Sequence, residues 1–243
     1  MRPLVATIDA AALAHNLGVV RRHAPRSKVA AVIKANAYGH GLERAAAALQ
    51  AADGFGLIEI DSAVRLRAAG YRQPIVLLEG IFDAGELPML AQHGLSTVVH
   101  DMAQVEMLAG LAGNAKIDVL LKANTGMNRL GLSAQEFPGA LDRLRRNPRI
   151  GSITLMTHFA SADEARGVEW QLQILQQLPG APELPKSLAN SAAVLRHPQT
   201  HADWVRPGIM LYGCSPFAGR TGVEDGLRPA MTLESRIIAV QSL

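Results

Sequence analysis

The chain has 243 residues, 49% of them hydrophobic and 19% charged, enough to bury one sizeable core as a single barrel-sized domain. A formal net charge of only +3 does not call for nucleic acid, and no uncharged apolar run approaches the about 18 residues of a membrane span. The single cysteine, Cys214, excludes an internal disulfide; the opening residues reach Asp9 before a signal-type stretch can form, which places the protein in the cytoplasm.

A short strand is expected over Leu4 to Asp9 and a helix over Ala11 to Arg22. An alternation follows that can be counted. Strand-like runs cover Val29 to Lys34, Phe55 to Ile60, Ile75 to Glu79, Thr97 to His100, Ile117 to Lys122, Ile153 to His158, Ser187 to Asn190 and Val205 to Tyr212, the last broken by Pro207 and Gly208. Helical patterns lie between most of them: Leu42 to Ala52, Ser62 to Ala69, Ala84 to Gln92, Met102 to Leu111, Ala134 to Arg146 and Ala165 to Leu178. Asp61, Asp83, Asp101 and Ser133 stand where helix N-caps are wanted.

Eight strands alternating with helices predict a parallel (β/α)8 barrel of the TIM type rather than an open, doubly wound sheet. Residues 1–230 form this domain. Residues 231–243 read as the first strand of a further, incomplete β domain, without a partner of its own. Gly54-Phe-Gly56 lacks the rest of a dinucleotide fingerprint. The basic run Arg143 to Arg149 closes a helical pattern, where cations complement free carbonyls. Pro198 breaks the helical spacing of His197 and His201, so no metal site is expected, and Trp170 and Trp204 are read as packing residues.

Lys34, Glu59, Glu79, His100, Lys122, His158, Asn190 and Arg206 all fall at or near strand ends, and in a barrel those ends form the mouth where active sites are built. No catalytic claim attaches to Glu59, Glu79 or His100. Lys34, at the tip of an apolar strand, is partly desolvated, a setting for Schiff-base chemistry with an aldehyde such as pyridoxal phosphate. The loops after strands 7 and 8 would cradle its phosphate, through Asn190-Ser191 opening a short helix and Gly208-Ile209. The Tyr38 hydroxyl is offered to the same group.

Five stretches carry a family likeness: Val32-Ile-Lys-Ala-Asn-Ala-Tyr-Gly-His-Gly41, Leu121-Lys-Ala-Asn-Thr-Gly-Met-Asn-Arg-Leu-Gly131, Thr157-His-Phe-Ala160, Ala189-Asn-Ser-Ala192 and Val205-Arg-Pro-Gly-Ile-Met-Leu-Tyr-Gly213. In this order they resemble the N-terminal barrel of the alanine racemases, over essentially the whole chain and most closely the catabolic form. The resemblance implies racemisation of L-alanine and D-alanine, with Lys34 as the Schiff-base lysine and the proton carrier on the D-alanine face of Cα. Tyr38, Ser191, Gly208 and Ile209 would bind the phosphate with Asn190 nearby, His158 would lie against the pyridine ring, and Arg206 would face its nitrogen. A guanidinium there stays protonated and does not act as an acid towards the ring, which disfavours transamination. Arg129 would reach the phenolic oxygen and the substrate carboxylate. Lys122 matches a lysine often carried as a carbamate, and Asn124 replaces a frequent aspartate. The family's second base is a tyrosine from the partner's β domain, and no residue here matches it. The implied picture is therefore a homodimer for the full-length enzyme and weak or no activity for this chain alone. A stand-alone carrier of pyridoxal phosphate is the alternative reading, and a barrel-type decarboxylase, which Arg206 opposes, is a more distant one.

Overall fold

The computed structural model describes residues 3–242. Met1, Arg2 and Leu243, the outermost residues of the two segments expected above, lie outside the described part. Eight parallel strands close into a barrel: β2 (Lys28–Val32), β3 (Gly54–Leu57), β4 (Ile75–Leu77), β5 (Ser96–Val99), β6 (Ile117–Lys122), β7 (Ile150–Met156), β8 (Lys186–Ser187) and β9 (Trp204–Val205). Each pairs with its successor, and β9 returns to β2 through Lys28 opposite Trp204 and Val29 opposite Val205. Closure leaves the barrel without an edge strand.

The helices cover the outside: α1 (Ala10–His23), α2 (Leu42–Ala48), α3 (Ile60–Ala68), α4 (Leu87–His93), α5 (Met102–Ala109), α6 (Phe137–Arg146), α7 (Glu169–Gln177) and α8 (Ser191–Arg196). Three begin later than the sequence pattern suggests, α4 because a 3-10 turn over Ala84–Glu86 precedes it. Helix α6 waits until Phe137, where Pro138 costs nothing because a first-turn N–H has no intrahelical partner. Helix α7 waits until Glu169, after a loop that runs from Thr157. Asp101 caps α5 through the Ala103 N–H at 2.7 Å, and Asp83 caps a 3-10 turn through the Gly85 N–H at 2.6 Å. The arginines at the end of α6 are largely paired on the surface, Arg143 with Glu106 and Arg145 with Glu183.

Strand parity decides which side chains reach the barrel interior. On β4 the side chains of Ile75 and Leu77 join the main core beneath the helices, while Val76 joins a small inner cluster with Val98, Leu120 and Met156. The same alternation sends Ile117, Val119 and Leu121 outward on β6 and leaves Leu120 and Lys122 inward. It sends Val29, Ala31 and Ile33 outward on β2, so that Lys34, two positions after Val32, continues the inner row. The inner cluster floors the barrel just below the polar mouth.

The two strands outside the barrel lie where the sequence put them, but they pair with each other. Strand β1 (Leu4–Ile8) stays outside the barrel and pairs antiparallel with β10 (Met231–Ser235), in register from Leu4 opposite Ser235 to Ile8 opposite Met231. The terminal strand expected to lack a partner therefore has one, and it ends at Ser235 rather than running to the end of the chain. The eighth barrel strand is also shorter than expected. Pro207 has no N–H to donate to a ladder, and the chain leaves β9 after Val205 to form a 3-10 turn over Ile209–Tyr212.

Candidate active site

A cavity of about 670 Å³ opens at the carboxyl ends of the strands. Every residue singled out from the sequence as a site residue lines it: Lys34, Tyr38, Lys122, Arg129, His158, Asn190, Ser191, Arg206, Gly208 and Ile209. Glu79 and Asp163 line it too, as the cavity's carboxylates. Of the residues given no catalytic claim, Glu79 is thus at the site. His100 instead supports it, with Nε2 3.0 Å from the Glu79 carbonyl oxygen. Glu59 precedes α3 and makes no side-chain cap.

Lys34 leads into a turn whose next four residues, Ala35, Asn36, Ala37 and Tyr38, all have φ between 51° and 55°. A left-handed run of residues bearing Cβ atoms costs on the order of 1 kcal/mol per residue and persists only where the surroundings hold it. Here the holding contacts are local. The Asn36 Oδ1 accepts from the Leu42 N–H at 2.9 Å, the Ala37 N–H donates to the Ile33 carbonyl at 3.0 Å, and His40 Nδ1 lies 3.1 Å from the Ala37 carbonyl oxygen. The turn swings Tyr38 across to the end of β9, where a Cβ added to Gly208 would stand 2.7 Å from the Tyr38 hydroxyl. Only glycine leaves that gap open.

Ser191 sits behind the same gap. Its Oγ accepts from the N–H groups of Gly208 at 2.9 Å and Met210 at 3.3 Å, which leaves its O–H as a donor. Asn190 supports it from below as the N-cap of α8, accepting from the Ala193 N–H at 3.0 Å. The Tyr38 and Ser191 hydroxyls thus meet beside Gly208 at one side of the cavity, a place for an anion to accept hydrogen bonds.

Arg206 is only 5% exposed and is tied down from behind. Nη1 donates to the carbonyl and, at 2.7 Å, to the hydroxyl of Ser187, and Nη2 donates to the Thr157 carbonyl at 2.6 Å. Burial lowers its pKa to about 10, so it is charged at neutral pH. Lys122 is 4% exposed, and burial, helped by Arg206 and Arg129, lowers its ammonium to about 8. His158 is pushed down to about 3, first by burial and then by Arg206, Arg129, Lys122 and Lys34, and is a neutral imidazole at physiological pH.

Arg129 is exposed, on a loop closed by the bridge between Ala123 and Leu132. Asn124 shapes this loop: Oδ1 accepts from the N–H groups of Gly126 and Asn128, and the amide donates to Asn128 Oδ1 at 3.0 Å. An aspartate would keep the first two bonds and lose the third. Trp170 packs on the same loop, since a Cβ on Gly126 would come within 2.3 Å of its ring. Trp204 carries the Lys28 ammonium 5.4 Å from its ring centre. His197 and His201 each place Nε2 on a backbone carbonyl, of Ala162 and Val194. The sequence reading missed the supporting roles of His40 and Tyr212, although both stand inside quoted motifs; Asp163 lies in a long loop and carried no signal.

Fold and cavity together define a barrel with a lysine at its mouth, an anion cradle and an excess of fixed positive charge, the class of barrel that holds an anionic carbonyl cofactor. Comparisons with known proteins make this specific. Residues 8–216 match the family model for the alanine racemase N-terminal domain. An alanine racemase of Nitrosospira multiformis is 59% identical over 245 residues, covering 100% of this chain and 69% of the relative. The alanine racemase structure from Acinetobacter baumannii superposes with a TM-score of 0.90 at 36% identity, covering 100% of this chain and 73% of that one. The biosynthetic alanine racemase of Pseudomonas aeruginosa gives 0.90 at 42% identity, covering 96% and 66%. The chain belongs to the alanine racemase family.

Proposed function

We propose that the cavity binds pyridoxal 5'-phosphate through Lys34 and the Tyr38–Ser191–Gly208 cradle and interconverts L-alanine and D-alanine. The racemase chemistry is that of the family; the assignment of roles to residues is our reading. The residues fit the cofactor: a phosphate matches two hydroxyls beside a glycine whose missing Cβ leaves room for the Tyr38 hydroxyl, and a dianion would offset the charges of Lys34, Lys122, Arg129 and Arg206. When bound, pyridoxal phosphate supplies an aldehyde for the amino group and an electron sink for charge developing at Cα.

The chain's residues supply the rest. The Lys34 amine would hold the cofactor at its aldehyde and, when freed, would take and return the Cα proton on the D-alanine face. Tyr38, Ser191, Gly208 and Ile209 hold the phosphate, and Asn190 holds the helix that carries Ser191. His158, neutral, would pack against the ring without adding charge. Arg206, protonated and fixed by Ser187 and Thr157, would face the ring nitrogen and would not act as an acid towards it. Arg129, which lines the same cavity, would bind the phenolic oxygen and the substrate carboxylate. Lys122, with its pKa lowered to about 8, carries a neutral fraction large enough to take up carbon dioxide as a carbamate near Arg129.

The observation that carries this reading is the meeting of Lys34 and the Tyr38–Gly208 gap in one cavity. Its test is reduction with borohydride in the presence of pyridoxal phosphate followed by peptide mapping. The label is expected on Lys34, and its appearance on another lysine overturns the assignment.

We place the base for the opposite face of Cα in the part of the relatives that this chain does not span. The 243 residues alone are therefore expected to bind cofactor and racemise weakly or not at all. The reading also places residues 231–243 with a second domain, the protein in the cytoplasm and the full-length enzyme as a homodimer. The exposed Leu4, Val5 and Leu233 on the β1–β10 ribbon support a covered surface there; light scattering on the full-length protein tests the dimer. Among the described residues no helix is long and apolar enough to cross a membrane.

A further inference from the structure

We infer that Tyr212 is a positioning residue that locks the phosphate loop to the lysine turn, so that the two attachment points of the cofactor move as one unit. Tyr212 closes the 3-10 turn Ile209–Tyr212, which begins beside Gly208 at the phosphate cradle. Its hydroxyl reaches across to the neighbouring strand β2 and donates to the Val32 carbonyl at 3.0 Å, two residues before Lys34. The Val32 N–H in turn donates to the Pro207 carbonyl at 3.0 Å. The segment 207–212 therefore grips Val32 by both of its backbone polar groups.

The ring of Tyr212 makes the second connection. Its centre lies 4.8 Å from that of Tyr38 and 4.6 Å from that of His40, and the side chain is 3% exposed. His40 bonds the carbonyls of Ala37 and Tyr38 at 3.1 and 3.2 Å. The left-handed turn is thus clamped between its own backbone contacts and one aromatic wall. A run of four such residues holds only while its surroundings determine it, and Tyr212 is the part of those surroundings that belongs to the phosphate loop. Burial raises the phenol's pKa well above its ordinary value, so the hydroxyl remains a donor across the working range of the enzyme.

This inference rests on the cavity being the pyridoxal phosphate site, and the experiment separates the two. Cofactor affinity, the phosphorus resonance of bound pyridoxal phosphate and the visible band of the borohydride-reducible adduct are measured for the protein and for Tyr212→Phe, Tyr212→Leu, Phe137→Leu and Lys34→Ala. Tyr212→Phe keeps the ring and loses the bond to Val32, and is expected to weaken cofactor binding about 5-fold; Tyr212→Leu loses both and is expected to weaken it about 50-fold, with the phosphorus signal moving towards that of free cofactor. Phe137→Leu truncates a buried ring on the outer side of the barrel. It should lower the melting temperature while leaving affinity and the phosphorus signal unchanged, which a purely structural part for Tyr212 would also do. Wild-type affinity and phosphorus signal in both Tyr212 variants overturn the inference, and where Tyr212→Leu does not fold, Tyr212→Phe decides alone. A reducible adduct that survives Lys34→Ala overturns instead the site reading underneath.

Discussion

His158 offers the sharpest test of the site's electrostatics. In the folded protein its pKa is lowered from 6.5 to about 3 by burial and by four neighbouring cations. In the unfolded chain it takes up a proton as pH falls through its ordinary value. The folded state therefore binds fewer protons between about pH 6.5 and 3, and stability must fall as pH drops through that window while staying level above it. At about 1.4 kcal/mol per pKa unit, lowering the pH from 7 to 4 costs up to about 3 kcal/mol, and water around a half-buried ring trims this to roughly 2 kcal/mol. The perturbation is His158→Gln in cofactor-free protein, and the assay is urea unfolding from pH 4 to 8. The unaltered protein should lose about 2 kcal/mol more than the variant on going from pH 7 to 4, with parallel behaviour above pH 7. Its imidazole C2–H signal should show no titration down to pH 4. Equal losses in the two proteins, or a midpoint near 6.5 for that signal, refute the reasoning.

Lys122→Met should stabilise the cofactor-free protein at pH 7 in buffer stripped of carbon dioxide, by about 1–2 kcal/mol, because a buried ammonium with a lowered pKa is a penalty. The sign follows from the window: the penalty is complete below about pH 8 and fades as pH rises towards 10.5, so the two unfolding curves should converge in alkaline buffer. Gly208→Ala puts a methyl 2.7 Å from the Tyr38 hydroxyl, and should weaken pyridoxal phosphate binding at least about 10-fold while shifting the melting temperature by less than about 4 °C. Ser187→Ala removes one acceptor of the Arg206 fork at 2.7 Å; unfolding should show a loss of about 1 kcal/mol, and cofactor titration should show weaker binding from a less firmly held guanidinium.

The barrel was legible because its signal is repeated eight times and does not depend on any one boundary. The mouth residues followed from it, since parity along short strands fixes which side faces inward, and Lys34, Lys122 and His158 continue the inner rows begun by Val32, Leu120 and Met156. The partner of β10 was not legible. It lies more than two hundred residues away in β1, and a short strand at the start of a chain gives no local sign of whether it joins the barrel or leaves it. The left-handed turn after Lys34 was hidden for a different reason: Ala-Asn-Ala-Tyr has ordinary helix and loop propensities, and nothing in it announces four positive φ values. That conformation is held by the local bonds of Asn36 and His40 together with the ring of Tyr212, which arrives beside the turn only once the barrel has closed.

Strain and charge meet at the same place for a physical reason. A lysine that is to bond a cofactor and then move a proton must be held close to the phosphate cradle, and a regular helix after β2 would carry Tyr38 away from Gly208. The left-handed turn bends the chain back, at a cost the surrounding hydrogen bonds and the Tyr38–Tyr212–His40 cluster offset. The cavity likewise concentrates Lys34, Lys122, Arg129 and Arg206 against Glu79 and Asp163, an arrangement that is unfavourable until an anion enters. Burial, joined by the same excess of positive charge, keeps His158 neutral and makes Lys122 easy to deprotonate. Both unfavourable features point to one ligand: a dianionic phosphate seated at Tyr38 and Ser191 would offset the surplus charge of Lys34, Lys122, Arg129 and Arg206, and the aldehyde attached to it would reach the lysine that the strained turn presents.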